Sequence, residues 1–279
     1  MVDWAKPSLF PAAMAAAVIW TAGYYYETQN ERVHRNEMKA RVANELNLIG
    51  ARLQGEVSAN VTAMRGFANL YAVSPSEGDR QFDVFARRLL LQNPQFRRLA
   101  AAPGGVVERA HPIAGNERYI GTDFNRFRSF RIAAQADRSR GRPLMLGPVQ
   151  MPDGTRGFNL FLPVFARSTK HHFFWGYIDG VIDERKLYKA AGLIDDNAGT
   201  DRTKWTGGHN IALSIRDISV PDNILEPFFG DYEVFNRSPV VRKVGFPGGQ
   251  WELAAIPADG WTKPPENLMQ VRLLIFVED

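Results

Sequence analysis

At 279 residues the chain can hold one large domain or two small ones, with ample core. Its formal net charge of +4 is too small to signal nucleic acid by itself, and it has no cysteine, which removes disulfides, thiolate metal sites and cysteine nucleophiles. No G-x-S-x-G, H-E-x-x-H, Walker loop or G-x-G-x-x-G occurs, so the chain reads as a non-enzyme without catalytic residues, metal or cofactor.

The run from Leu9 to Tyr26, LFPAAMAAAVIWTAGYYY, is uncharged and mostly apolar. At about 18 residues it is just long enough to span a bilayer, and Trp20 and Tyr24 to Tyr26 suit an interfacial belt. It reads as an uncleaved anchor, with a cleavable signal peptide as the rival. Lys6 is the one basic side chain before it, whereas Arg32, Arg35, Lys39 and Arg41 follow it, so the positive-inside rule alone favours the opposite orientation. Beyond it, Met38, Val42, Leu46, Ile49, Leu53, Val57, Val61, Met64, Ala68 and Tyr71 recur in steps of three and four. That spacing predicts one long helix, packed on its own domain or paired with a twin as a stalk. Ser74-Pro75-Ser76 ends it.

A short amphipathic helix is predicted from Phe82 to Leu91. Strands follow at Phe96 to Ala102 and Val106 to Pro112, turned by Pro103-Gly104-Gly105. Phe124 to Arg140 reads as a helix, and Asp123 just before it is suited to cap it. Arg126, Arg128, Arg131, Arg138, Arg140 and Arg142 crowd this region as a solvated face or an anion-receiving one. Leu144 to Met151, Phe158 to Phe165 and Phe173 to Ile182 make an antiparallel meander of three strands. Gly176 and Gly180 share a face and leave room there for a backbone or a ligand. His171-His172 has no matched metal partner, and His111 ends a strand.

The ordered segments HPIAGNERYIGTDF, GRPLMLGPVQMPDGTRGFNLFLPVFA and HHFFWGYIDGVID carry the specific signal. Their P-x-x-G-N-E, I-G-x-D, G-R-P, G-P-V, P-V-F and F-W-G-Y-I-x-G-V-I-D elements resemble the CHASE domain, the extracytoplasmic sensor module of bacterial membrane receptors and cytokinin-receptor kinases. The resemblance covers roughly residues 30 to 260. It implies an α+β protein: a long N-terminal helix, then two PAS-like units with antiparallel sheets. It also implies that the sensor lies in the periplasm, on the inner membrane, and binds a small molecule. In cytokinin receptors the aspartate of the matching motif bonds the ligand. By that resemblance Asp123, with Met145, Leu146, Thr155, Phe158 and Leu160, would line the pocket; singly, each apolar member reads better as core.

From Asp183 a second unit begins, with a short helix at Glu184 to Ala191 and a polar loop from Asp195 to Gly208. Ile211, Leu213 and Ile215 alternate in a strand, another begins at Phe228, and a hairpin joins Val240 to Phe246 with Gln250 to Pro257. Trp251 and Trp261 are expected in the core or between units. The predicted organisation is an anchor (1–29), a stalk helix (30–74), a distal ligand-binding unit (75–183), a proximal unit (184–266) and the start of a membrane-directed segment (267–279). Expected partners are a small-molecule ligand, a membrane through the N-terminal helix and a second copy through the stalk, with no nucleic acid. In such receptors a cytoplasmic output module follows. The competing reading is a tethered dimerisation scaffold, and an anchored enzyme ranks below it.

Overall fold

The computed structural model describes residues 9–128, 130–131, 141–151, 154–167, 172–195, 210–219 and 226–262. Helix α1 (Leu9–Val73) runs through 65 residues without a break. All ten apolar positions of the predicted stripe, Met38 to Tyr71, are buried, and Phe67 joins them. The stripe is therefore spent on the chain's own sheets, which resolves the choice between intramolecular packing and a seam with a twin over this stretch. Upstream of Met38 no described side chain is buried.

Helix α2 (Pro75–Gln92) follows after a single residue. The Ser74 side chain accepts a hydrogen bond from the Glu77 amide at 3.4 Å, and Pro75 starts the helix with its φ already set. Capping thus starts α2 seven residues before the hydrophobic pattern that begins at Phe82. Phe82 packs against Phe67 of α1 at 5.6 Å between ring centroids.

Five antiparallel strands form the distal sheet: β1 (Phe96–Pro103), β2 (Arg109–His111), β3 (Leu144–Gln150), β4 (Arg156–Arg167) and β5 (His172–Asp183), in the order β2-β1-β5-β4-β3. The strand expected over Val106 to Pro112 shrinks to three residues. Val107 turns its backbone to the next loop instead, donating to Thr122 O at 2.9 Å and accepting from Gly121 N at 2.8 Å. Of the helix expected over Phe124 to Arg140, Phe124–Arg126 forms a 3-10 turn, Arg128, Phe130 and Arg131 are α-helical, and 129 and 132–140 lie outside the described residues.

Asp183 caps α3 (Glu184–Ala190), accepting from Lys186 N at 3.0 Å. The proximal sheet follows as β6 (Ile211–Asp217), β7 (Pro227–Phe229), β8 (Val240–Phe246) and β9 (Gly249–Pro257), ordered β7-β6-β9-β8. The strand expected to begin at Phe228 instead ends at Phe229, because Gly230 (φ +77°) redirects the chain towards helix α4 (Glu233–Asn236). The predicted membrane-directed segment (267–279) and most of the predicted Asp195 to Gly208 loop lie outside the described residues.

One core joins α1 to both sheets. Its proximal anchor is Trp251, whose ring meets Phe246, Phe228 and Phe158 at 4.6, 5.1 and 5.2 Å, so the residue serves both its own sheet and the junction. The β8–β9 turn also grips the distal unit directly, Gly248 O accepting from Met145 N at 3.0 Å. Leu53 sits fully buried in this core. Leu53→Ala is expected to cost about 2–5 kcal/mol and to lower the urea midpoint of both units in one transition. Two separated transitions, read by fluorescence and circular dichroism, would show that α1 does not couple them.

Candidate functional site

Alternation along the strands gives the distal sheet two unlike faces. One carries Leu99, Ala101, Met145, Phe158, Leu160, Leu162, Ile178 and Ile182 and packs on the α1 core. The other carries Ala100, Ala102, Leu144, Phe161 and Tyr177 under Phe124 and Phe130 of the β2–β3 connection.

The six residues singled out from sequence divide between these faces and the surface. Met145, Phe158 and Leu160 belong to the α1-facing core, where Phe158 packs on Trp251 and Tyr188 of the proximal side. Leu146 lies on the opposite face against the aromatic cluster. Thr155 is exposed and accepts from Arg97 Nη1 at 2.6 Å. Asp123 does cap, but it caps the 3-10 turn: Oδ1 accepts from the Asn125 amide at 2.9 Å and from its side chain at 3.0 Å. Its neighbour Phe124 packs on Phe161 at 4.9 Å and Tyr119 at 6.1 Å. The room at Gly176 and Gly180 serves backbone and helix: a Cβ on Gly180 would stand 2.6 Å from Met64 Sδ of α1, and one on Gly176 would strike Ala102 of β1.

The chemically loaded part of the loop-covered face was not among those six. Asp179 on β5 is fully buried, and Arg98 on β1 is 8% exposed. Asp179 Oδ2 accepts from the Tyr119 hydroxyl at 2.8 Å and from Arg98 Nη2 at 3.5 Å. The Arg98 guanidinium lies 3.3 Å over the centroid of Tyr119, and its Nη1 donates to Asn116 Oδ1 at 3.3 Å. The register places these groups in two adjoining rows. Arg98, Val181, Asn159 and Leu146 line up across β1, β5, β4 and β3; Ala100, Asp179, Phe161 and Leu144 form the next row.

Three buried polar atoms here have no hydrogen-bond partner: Asp179 Oδ1, Arg98 Nε and Asn159 Oδ1. Such groups cost free energy unless something completes them. Burial raises the Asp179 pKa, against the lowering effect of Arg98 and Tyr119. Burial, reinforced by the Asp179 charge, likewise holds the Tyr119 phenol protonated, so it stays a donor. A sequence signal for this group existed: Asp179 is the one charge in the run Phe173 to Ile182, and Arg98 directly precedes the apolar run Leu99 to Ala102.

Elsewhere, a surface cavity of about 330 Å³ between α2, β1 and β2 is lined by Arg87, Leu90, Phe96, His111 and Lys186 among others. His111 ends β2 and its Nδ1 lies 3.3 Å from Asp83 Oδ1. Among the described residues no cluster of three His, Cys, Asp or Glu could hold a metal ion.

Two successive antiparallel sheets behind one long helix define a tandem PAS-like sensor fold. The CHASE domain matches residues 56–223, more than half of the chain. The chain belongs to the CHASE-domain family of extracytoplasmic sensors. It is similar to the ligand-binding domain of the Pseudomonas aeruginosa PAO1 amino acid chemoreceptor PctB in complex with L-Gln, with TM-score 0.51 and 14% identity, over 85% of this chain and 98% of that one. The corresponding domain of PctC from the same organism, in complex with GABA, gives 0.48 and 17%, over 78% and 98%. An extracellular ligand binding receptor from Desulfohalobium retbaense gives 0.47 and 13%; the match covers 78% of this chain and 39% of that receptor. No curated protein matches the chain.

The raised Asp179 pKa has a testable sign. The native state keeps this proton to higher pH than the unfolded chain does. Stability linked to it is fully present below the unfolded value of about 4 and is lost as pH rises towards the native one. Asp179→Asn removes that dependence. The unfolding free energy of the variant relative to the parent should climb as pH rises from about 4 in paired urea titrations; a difference that stays flat or falls would refute burial as the dominant influence.

Proposed function

We propose that the chain senses a small molecule on the loop-covered face of the distal sheet and passes binding to α1. The observation that carries this reading is the group formed by buried Arg98 and Asp179 with half-buried Tyr119 and Asn159, three of whose polar atoms lack a partner beside an aromatic wall. A mostly apolar recess with a few placed polar groups is the ordinary form of a small-molecule site. In this reading Asp123 and Leu146 border the site, Met145, Phe158 and Leu160 support the sheet from behind, and Thr155 braces Arg97.

Relay to α1 is supported by position. Asp179 faces the site, and the next residue, Gly180, rests on Met64 of α1. At the start of β1, Gln95 accepts from Asn60 Nδ2 at 2.7 Å and donates to Glu56 Oε2 at 2.5 Å, tying the strand that bears Arg98 to the same helix.

Membrane attachment falls to residues 9–29. Among the described residues no helix is long and apolar enough to cross a membrane. The segment is nevertheless uncharged from Leu9 to Tyr26, and Met14, Val18, Ile19, Trp20 and Tyr24 to Tyr26 are exposed among the described residues. Pairing of two stalks, if it uses α1, falls to the same unburied end. A cytoplasmic output module would receive the signal.

Thermal unfolding of the full chain in mild detergent, screened against amino acids, carboxylates, purines and sugars, tests the sensor reading. A ligand at about a hundred times its Kd adds about 2.7 kcal/mol, or about 5–10 °C in midpoint. Asp123→Ala should cost about 1 kcal/mol through the lost cap and weaken ligand less than Asp179→Asn. Absence of any shift across the whole screen refutes the sensor reading.

A further inference from the structure

The unpartnered atoms around Asp179 are of two kinds. Asp179 Oδ1 and Asn159 Oδ1 are acceptors and need N–H or O–H donors, while Arg98 Nε is a donor and needs an acceptor. Their order across the sheet is fixed by the register: Arg98 and Asn159 both pair with Val181, from opposite sides of β5, and Asp179 lies two residues along the same strand on the same face. With strands about 4.8 Å apart, Arg98 and Asn159 stand about 10 Å apart at the backbone, and Asp179 lies between them on β5, its Oδ2 3.5 Å from Arg98 Nη2. That interval suits a compact group presenting donors at one end and an acceptor at the other.

Charge narrows the choice. Asp179 and Arg98 already balance each other in a nearly solvent-free place. An added lone cation or lone anion would leave one net buried charge, which is costly. A zwitterion adds none, and each of its ends meets the complementary group through a charge-assisted bond.

We infer that the ligand is a small zwitterion of the α-amino acid type, its ammonium received by Asp179 and Asn159 and its carboxylate by Arg98. This rests on the loop-covered face being the ligand site. The Arg98 guanidinium and the Tyr119 hydroxyl favour the charged form of Asp179 against its burial, and an ammonium beside it favours that form further.

The test is isothermal titration calorimetry of the full chain with the L-amino acids, each alongside its N-acetyl and its carboxamide derivative. At least one amino acid should bind, and acetylation or amidation should each weaken binding by about ten- to hundred-fold. Asp179→Asn should weaken it about as much, with unfolding curves showing that the variant folds. If it does not fold, Asn159→Ala serves instead, since its side chain carries no charge to strand. Binding of an uncharged purine or a sugar, indifferent to Asp179→Asn, with no amino acid bound, overturns the zwitterion and leaves the sensor reading standing. Amino acid binding that survives both acetylation and Asp179→Asn also overturns it. Failure of every compound in the wider screen removes the sensor reading and this inference with it.

Discussion

The structure depends on the burial of one stripe. From Met38 to Tyr71 the apolar side of α1 supplies the common floor on which both sheets rest. Full burial of each Leu, Ile, Val or Met side chain on this stripe is worth roughly 1.5–3 kcal/mol. Gly50 shows how close the approach is: a Cβ there would stand 2.8 Å from Arg242 Nε and 3.0 Å from Val244 Cγ2 of β8. The two units are thus two halves of one core, joined further by Trp251 and by the bond from Met145 N to Gly248 O.

A sheet one residue thick must be apolar towards the helix, and its other face is then free to carry chemistry. The distal sheet follows that division strictly. Ile178, Gly180 and Ile182 of β5 face α1, whereas Tyr177, Asp179 and Val181 face the loops. Fixed charges can be held on the second face because neighbouring strands and the loop hold them in one place. Asn116, carried by the segment after β2, accepts from Arg98, and Tyr119 from the same segment donates to Asp179. A polar group on the first face would instead have to be accommodated within the tightest packing of the molecule.

This division also explains what could be read without coordinates. A helical period extending over ten positions is a redundant signal, and every one of those positions proves buried. The meander, the β8–β9 hairpin and the family resemblance were legible for the same reason: each is a local pattern. The distal strand order needs more, because β1 pairs with β5 from some 80 residues away, and only that pairing brings Arg98 beside Asp179. Period-two alternation did separate Phe158 and Leu160 from Asn159 and Phe161. It could not say which set faces α1, since both faces are largely apolar. The start of α2 depended on Ser74, a single capping residue outside the hydrophobic pattern.

The length of α1 has a mechanical consequence. The helix is seated on the proximal sheet near Gly50 and touched by β5 at Met64, about 21 Å further along its axis, while its N-terminal end lies about 60 Å the other way. With the seat as fulcrum, the two arms stand in a ratio of about three to one. A displacement of about 1 Å where β5 presses on Met64 would therefore swing the far end by about 3 Å. A repacking the size of one rotamer change behind Asp179 becomes, at the other end of the rod, a movement as large as the gap between packed atoms.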